Sequence, residues 1–202
     1  MTSSLSSSHP LPLFFELALL KRQKRSGALL AGVDEPDSIA DHTARAAIIG
    51  FVLAHYEAAD PYRTSAMLLF HDIPECRVGD QHKVAARYID RGDAEARAFQ
   101  DQVAILPDKL RKKILELYEQ SEQRTSLEGT VAKDADWLEM AITAREYIVR
   151  GYEGLEDWIN NIREALETKT AQQWLELIAT ADPNDWWKGL KKMTYTKLSK
   201  KS

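Results

Sequence analysis

The 202-residue sequence predicts an all-α protein built as a helical bundle. Three observations carry that expectation. From about residue 12 onward, apolar residues recur at three- and four-residue spacing, which places them on one face of a helix. No long stretch alternates apolar and polar residues as a half-buried strand would. Residues that start and stop helices punctuate the chain: Ser38 with Asp41, Asp60-Pro61, Pro107, and Gly151 with Gly154.

Taken in order, residues 1–10 are Ser-rich, end in Pro10 and read as a disordered tail. A first helix is expected over about residues 12–24, stopped near Gly27, with a loop from Gly32 to Pro36. Ser38 with Asp41 three residues on resembles a capping box, and opens a helix that runs to about Tyr56. Asp60-Pro61 starts a third helix, which carries His71-Asp72 and ends before Gly79. Two helices between about residues 93 and 122 are divided near Pro107. A long helix over about residues 126–149 follows, with Leu127, Val131, Leu138 and Ile142 on its apolar side. Two or three more helices fill the last quarter, where Trp158, Trp174, Trp186 and Trp187 are expected in core or dimer packing. One domain is expected over residues 11–185, with a basic helix or tail over 186–202.

Composition narrows the function classes. Hydrophobic residues make up 44% and charged residues 29%, as in ordinary globular proteins. The net charge of -4 supplies no basic field for a nucleic-acid backbone, so no nucleic-acid partner is expected. After Asp185 only cationic charges remain (Lys188, Lys191, Lys192, Lys197, Lys200, Lys201), a pattern that fits a solvated C-terminal end. The one cysteine, Cys76, rules out an intramolecular disulfide and suits a reducing interior. Leu11–Leu20 is interrupted by Glu16 and followed, not preceded, by its cationic cluster, unlike a secretory signal. No apolar run reaches transmembrane length, so no membrane partner is expected and the location read from the sequence is cytoplasmic.

The chemistry concentrates in few residues. Only five histidines exist: His9, His42, His55, His71 and His82. Adjacent helical residues diverge by about 100°, so His71 and Asp72 both reach one ion only if it sits between their directions. On a continuous helix Glu75, four residues after His71, stacks on the same face. The trio follows the apolar run Met67-Leu68-Leu69-Phe70, and buried charge needs a partner, which a metal ion would supply. His42 and Asp136 add a second imidazole and a second carboxylate from other helices. Such a set suits Mn, Fe, Co or Mg better than a structural zinc site, and a bound ion can lower the pKa of water and polarise a phosphoryl oxygen. Spacing alone is a modest signal, because a lone histidine is more often a packed or solvent-facing residue than a ligand.

The order and spacing of four blocks resemble the HD-domain metal-dependent phosphohydrolases, in particular the bacterial 5′-deoxynucleotidases and their eukaryotic HD-domain relatives. The blocks are Leu20-Lys21-Arg22-Gln23-Lys24-Arg25-Ser26-Gly27, Ser38-Ile39-Ala40-Asp41-His42, His71-Asp72-Ile73-Pro74-Glu75 with Gly79-Asp80, and Val131-Ala132-Lys133-Asp134-Ala135-Asp136. Together they cover about residues 12–150. The resemblance implies an HD-type bundle, a homodimer, and hydrolysis of a phosphomonoester, foremost a (deoxy)nucleoside 5′-monophosphate. It implies that His42, His71, Asp72 and Asp136 hold one divalent ion and that Glu75 is the general acid or base. Arg25 would contact the phosphate, while Asp80 would hold substrate or join Glu75 around a second ion. One departure stands out: those relatives often carry a tryptophan just after the arginine, where this chain has Ser26-Gly27-Ala28-Leu29. A surface for stacking a base is absent there or supplied from elsewhere.

His55 lies about 220° around its helix from His42 and faces away. Asp134 diverges by about 200° from Asp136, so one of the two binds, and the block alignment favours Asp136. His82 fits an exposed loop position, and Cys76 a small packing position. Two rivals remain: an HD phosphohydrolase for another small phosphorylated metabolite or a nucleoside di- or triphosphate, and a non-catalytic helical scaffold with a structural metal.

Overall fold

The longest helix organises the molecule. The computed structural model describes residues 9–190, without the side chains of residues 91 and 92. Residues 1–8 of the tail expected over 1–10, and the lysine-bearing end from residue 191, lie outside the described residues. Ten α-helices are described: α1 (Leu11–Glu16), α2 (Ser26–Leu30), α3 (Ile39–Tyr56), α4 (Pro61–His71), α5 (Glu75–Val78), α6 (Arg91–Val103), α7 (Asp108–Gln123), α8 (Leu127–Val149), α9 (Glu156–Ala165) and α10 (Lys169–Thr180). Among the described residues there is no strand, only an isolated antiparallel bridge between Lys24 and Ser38.

Helix α8 packs against α3, α4, α7, α9 and α10. It buries Val131, Ala132, Ala135, Leu138, Ala141 and Ala144 completely, so its apolar surface wraps around more than one stripe. The four alanines let neighbouring backbones approach, and Leu138 fills the larger gap. Leu127, expected on the apolar side, is instead 48% exposed because it opens the helix before the packed section begins. A first apolar cluster joins α8 to α3, α4, α9 and α10 through Leu53, Met67, Leu68, Ile159 and Leu175. A second joins α1, α6, α7 and the segment around Cys76 through Leu13, Phe99, Val103 and Ile114. Each fully buried large apolar side chain contributes roughly 1.5–3 kcal/mol.

Two expected helices are shorter than the sequence suggested. The first ends at Glu16, continues as one 3-10 turn over Leu17–Leu19, and then unwinds. Lys21 to Arg25 hold no apolar residue to bury. Their backbone pairs with the next segment instead: the Arg25 N–H donates to the Asp37 carbonyl and the Ile39 N–H to the Gln23 carbonyl. The third helix stops at His71, with Asp72 as its C-cap, and α5 begins only at Glu75. Pro74 has no N–H with which to continue the ladder. Glu75 therefore does not share an unbroken helical face with His71.

The caps follow the sequence more closely. The Asp41 N–H donates to the Ser38 hydroxyl at 3.2 Å and the Ser38 N–H to the Asp41 carboxylate at 2.9 Å, a complete capping box at the start of α3. Asp60 accepts from the Tyr62 and Arg63 N–H groups ahead of α4. Trp158 and Trp174 pack against the first cluster, whereas Trp186 and Trp187, on a 3-10 turn near the end of the described chain, are 75% and 51% exposed. They follow Pro183, beyond the end of α10 at Thr180.

Candidate metal centre

Three helices deliver the polar cluster. The capping box starts α3 so that His42 falls in its first turn. His71 is the last residue of α4, and Asp72, released from the helix at its C-cap, turns toward the same point. Asp136 comes from the middle of α8. Ligand atoms of His42, His71 and Asp72 lie within 4.8 Å of one another, and this is the one such group among the described residues. Asp136 Oδ1 is 3.1 Å from His42 Nε2 and 3.8 Å from His71 Nε2. All four residues are buried.

The second nitrogen of each imidazole is already engaged. His71 Nδ1 donates to the Leu68 carbonyl at 2.6 Å, and His42 Nδ1 pairs with Glu139 Oε2. Both Nε2 atoms are buried without a hydrogen-bond partner, and both face the carboxylates. Two imidazoles whose Nδ1 atoms are anchored this way present Nε2 lone pairs to a cation when neutral. The donor set therefore fits a divalent ion with mixed nitrogen and oxygen ligation.

Electrostatics agree with a cation at this point. Burial works against a protonated His71, but Asp72 and Asp136 outweigh it and push its pKa up to about 9. His42 is raised as well: burial and Arg25 oppose the proton, while Asp136 and Glu139 prevail. Burial disfavours the Asp136 carboxylate, yet Lys133 and the two imidazoles hold it well below the usual range. Asp72 is lowered against burial by His71, His42 and Arg25.

A wider cavity of about 780 Å³ opens beside the cluster, walled by Arg25, His71, Asp72, Glu75, Asp80 and Asp136 among others. The unwinding after α1 places Arg25 here. Its Nη1 donates to Asp72 Oδ2 at 3.1 Å, and its Nε lies 3.7 Å from Asp80 Oδ2. Burial opposes the Arg25 charge, but Asp72, Asp80 and Glu75 together hold it firmly protonated. Asp80 also accepts from the Ser26 N–H at 2.7 Å, which pins the turn into α2. Glu75 is 1% exposed and reaches the cavity from the start of α5. Arg22, by contrast, points to solvent.

The remaining candidates separate cleanly. His55 is exposed and packs edge-on against Tyr56. Asp134 turns away from the cluster and accepts from the Glu167 and Thr168 N–H groups, the latter at 2.7 Å. His82 lines the cavity and caps the next turn by accepting from the Ala85 N–H at 3.2 Å. Cys76 is buried in the second apolar cluster, where burial pushes its thiol up to about 11.

Sequence reasoning missed the supporting residues. Glu139 bridges His42 to Arg45, whose Nε donates at 2.8 Å to Glu139 Oε1 and whose Nη1 reaches Glu146 at 2.9 Å. Lys133 Nζ donates to Asp136 Oδ2 at 2.9 Å. Both flank Asp136 at three-residue spacing on α8, so the helical period was the available signal. Trp137 and Trp158 also line the cavity, and nothing in the local sequence marked them.

Residues 17–178 match the model of a family described as HD domain. Among curated proteins, the human 5′-deoxynucleotidase HDDC2 is 34% identical over 131 residues, covering 63% of this chain and 63% of that protein. The chain thus aligns with under two thirds of that relative's length. The Saccharomyces cerevisiae 5′-deoxynucleotidase YGK1 is 27% identical over 182 residues, covering 85% of this chain and 84% of the yeast protein. Among solved structures, a conserved hypothetical protein from Pyrococcus furiosus superposes with a TM-score of 0.71 at 29% identity, covering 83% of this chain and 98% of that one.

Proposed function

Because the chain belongs to the HD-domain family, we propose that it is a metal-dependent phosphohydrolase that converts a (deoxy)nucleoside 5′-monophosphate to nucleoside and phosphate. The observation that carries the reading is the convergence of two unpartnered imidazole Nε2 atoms and two carboxylates, with a buried arginine 3.1 Å from one of those carboxylates. The similarity to proteins named 5′-deoxynucleotidases supports the substrate class.

His42, His71, Asp72 and Asp136 would hold one divalent ion, drawn from Mn, Co, Fe and Mg. Such an ion supplies Lewis acidity toward a phosphoryl oxygen and acidifies a coordinated water. The chain's own groups do the rest. Arg25 pairs with the phosphate, its planar fork suiting two oxygens at once. Asp80 orients that fork and fixes the Ser26 turn, so its role is positioning. Glu75 moves a proton between water and leaving 5′-oxygen, acting as general acid or base. Glu139 and Arg45 lock the His42 ring, and Lys133 leaves one oxygen of Asp136 to face the imidazoles. Pairing of Glu75 and Asp80 around a second ion is the finer alternative. The same reading makes the protein a homodimer in the cytoplasm, and sedimentation of the purified chain tests the dimer.

Phosphate release from a panel of nucleoside mono-, di- and triphosphates and sugar phosphates, each with Mn, Co or Mg, tests the activity. Glu75→Gln should keep the metal and lower kcat by about a hundredfold or more. Loss of metal in that variant would instead make Glu75 a ligand. Arg25→Ala should lower kcat/KM by about ten- to a hundredfold, while Arg22→Ala should not. Equal small effects from both would remove Arg25 from the phosphate site. A chain that binds metal but releases phosphate from nothing is a scaffold.

A further inference from the structure

The cavity beside the metal ligands is larger than a phosphate needs, and its walls differ in character. One wall carries three of the proposed ligands, His71, Asp72 and Asp136, with Arg25, Glu75 and Lys133. The other is contributed by α2 and α9, and includes Leu30, Ala31, Trp158, Asn161 and Ile162. None of the four ligand residues comes from that wall, and it contributes no lysine or arginine to the cavity. Its one charged member is Asp157. A chain of further phosphates lying along it would meet a carboxylate and no cation, whereas a flat uncharged ring would meet apolar surface.

Trp158 is fixed in this wall by an unusual vacancy. A Cβ built on Gly27 would lie 2.9 Å from Trp158 Cη2 and 3.0 Å from Cζ2. The indole therefore occupies the space that any other residue at position 27 would need. Gly27 is two residues from Arg25, so the ring sits next to the turn that carries the phosphate-facing guanidinium. Its inner edge packs on the first apolar cluster while the residue remains part of the cavity surface. Trp137, the other indole lining the cavity, is already covered by the Arg124 guanidinium at 4.6 Å from its centroid.

We propose that Trp158, seated against Gly27, is a specificity-determining residue that takes the planar, uncharged ring of the substrate's leaving group, a nucleobase. The proposal rests on the nucleotidase reading and deepens it. It also locates, on α9, the stacking surface that the segment after Arg25 lacks.

The metal-loaded protein is assayed on a deoxynucleoside 5′-monophosphate and on 2-deoxyribose 5-phosphate, which has the same reacting group and no base. Base stacking on an aromatic side chain is a large enough effect that Trp158→Ala should lower the ratio of kcat/KM for nucleotide over sugar phosphate by about tenfold or more. Trp158→Phe, which keeps a flat ring and most of the packing, should retain most of that ratio. Metal content and melting temperature of both variants identify a folding defect, and the phenylalanine variant keeps the test valid if alanine unfolds the wall. An unchanged ratio in Trp158→Ala, or a phenylalanine variant that falls as far as alanine, overturns the proposal. So does a wild-type protein that prefers the baseless sugar phosphate, although its phosphomonoesterase activity then stands. Phosphate release from neither compound sinks the nucleotidase reading itself, and this inference with it.

Discussion

Asp134 and Asp136 are chemically identical, two positions apart on one helix, and committed to opposite tasks. Asp136 faces His42 and His71, while Asp134 receives the N–H groups that precede α10. Asp136→Ala should lose bound metal. Asp134→Ala should keep it and melt earlier, because removing a carboxylate that satisfies backbone donors near a helix start costs about 0.5–2 kcal/mol. Elemental analysis and thermal denaturation on the same preparations separate the two roles, and full metal content in Asp136→Ala would remove Asp136 from the ligand set. The sequence distinguished the pair through helical angle and block alignment together. It gave no role to Glu139, Arg45 or Lys133, because those residues contact the candidate ligands or one another and carry no motif of their own. Their acidic or basic character looks like any helix surface until the facing helix is known.

At the scale of elements, legibility followed local chemistry. The starts of α3 and α4 were readable because Ser38, Asp41 and Asp60 accept from helix-end N–H groups and Pro61 has no N–H to satisfy. The ends of α1 and α4 were not, because tertiary pairing of residues 23–25 and the Ile73-Pro74 step decided them. Those two breaks shape the cavity: the first carries Arg25 inward and the second frees Asp72 to turn. The crossing of α7 and α8 was equally invisible in the sequence. Arg124 ends α7 with a left-handed backbone, φ 51°, and α8 returns so closely that a Cβ on Gly129 would lie 2.3 Å from the Gln120 carbonyl oxygen. Backbone cannot swing aside as a side chain can. Gly129→Ala should therefore destabilise by about 1–3 kcal/mol, even though alanine is the better helix former by about 1 kcal/mol. Chemical denaturation measures the balance, and an increase in stability would show that the two helices can part at little cost.

Across the whole molecule, the all-α class was readable from periodicity, and the two apolar clusters explain why a single bundle suffices. The cluster around α8 and the cluster under α1, α6 and α7 meet at Phe70, which packs against both. The polar residues collect near that seam, drawn from positions as far apart as Arg25 and Asp136. Which of the tryptophans reached the core was unreadable, because burial depends on where α9 and α10 fold back. Trp158 and Trp174 return to the bundle and Trp186 and Trp187 do not.

The spread of the four candidate ligands over α3, α4 and α8 carries one more consequence. An ion bound by all of them is released whenever any one of the three helices opens, so it stabilises only conformations in which all three are docked. Amide hydrogen exchange should register this as a shared response. Adding metal should slow the slowest-exchanging amides of α3, α4 and α8 by a common factor. Helix α6, which contributes no ligand, should keep its own local opening rate. If protection rose in only one of the three, the helices would open independently and the ion would be held by fewer of them than the geometry suggests.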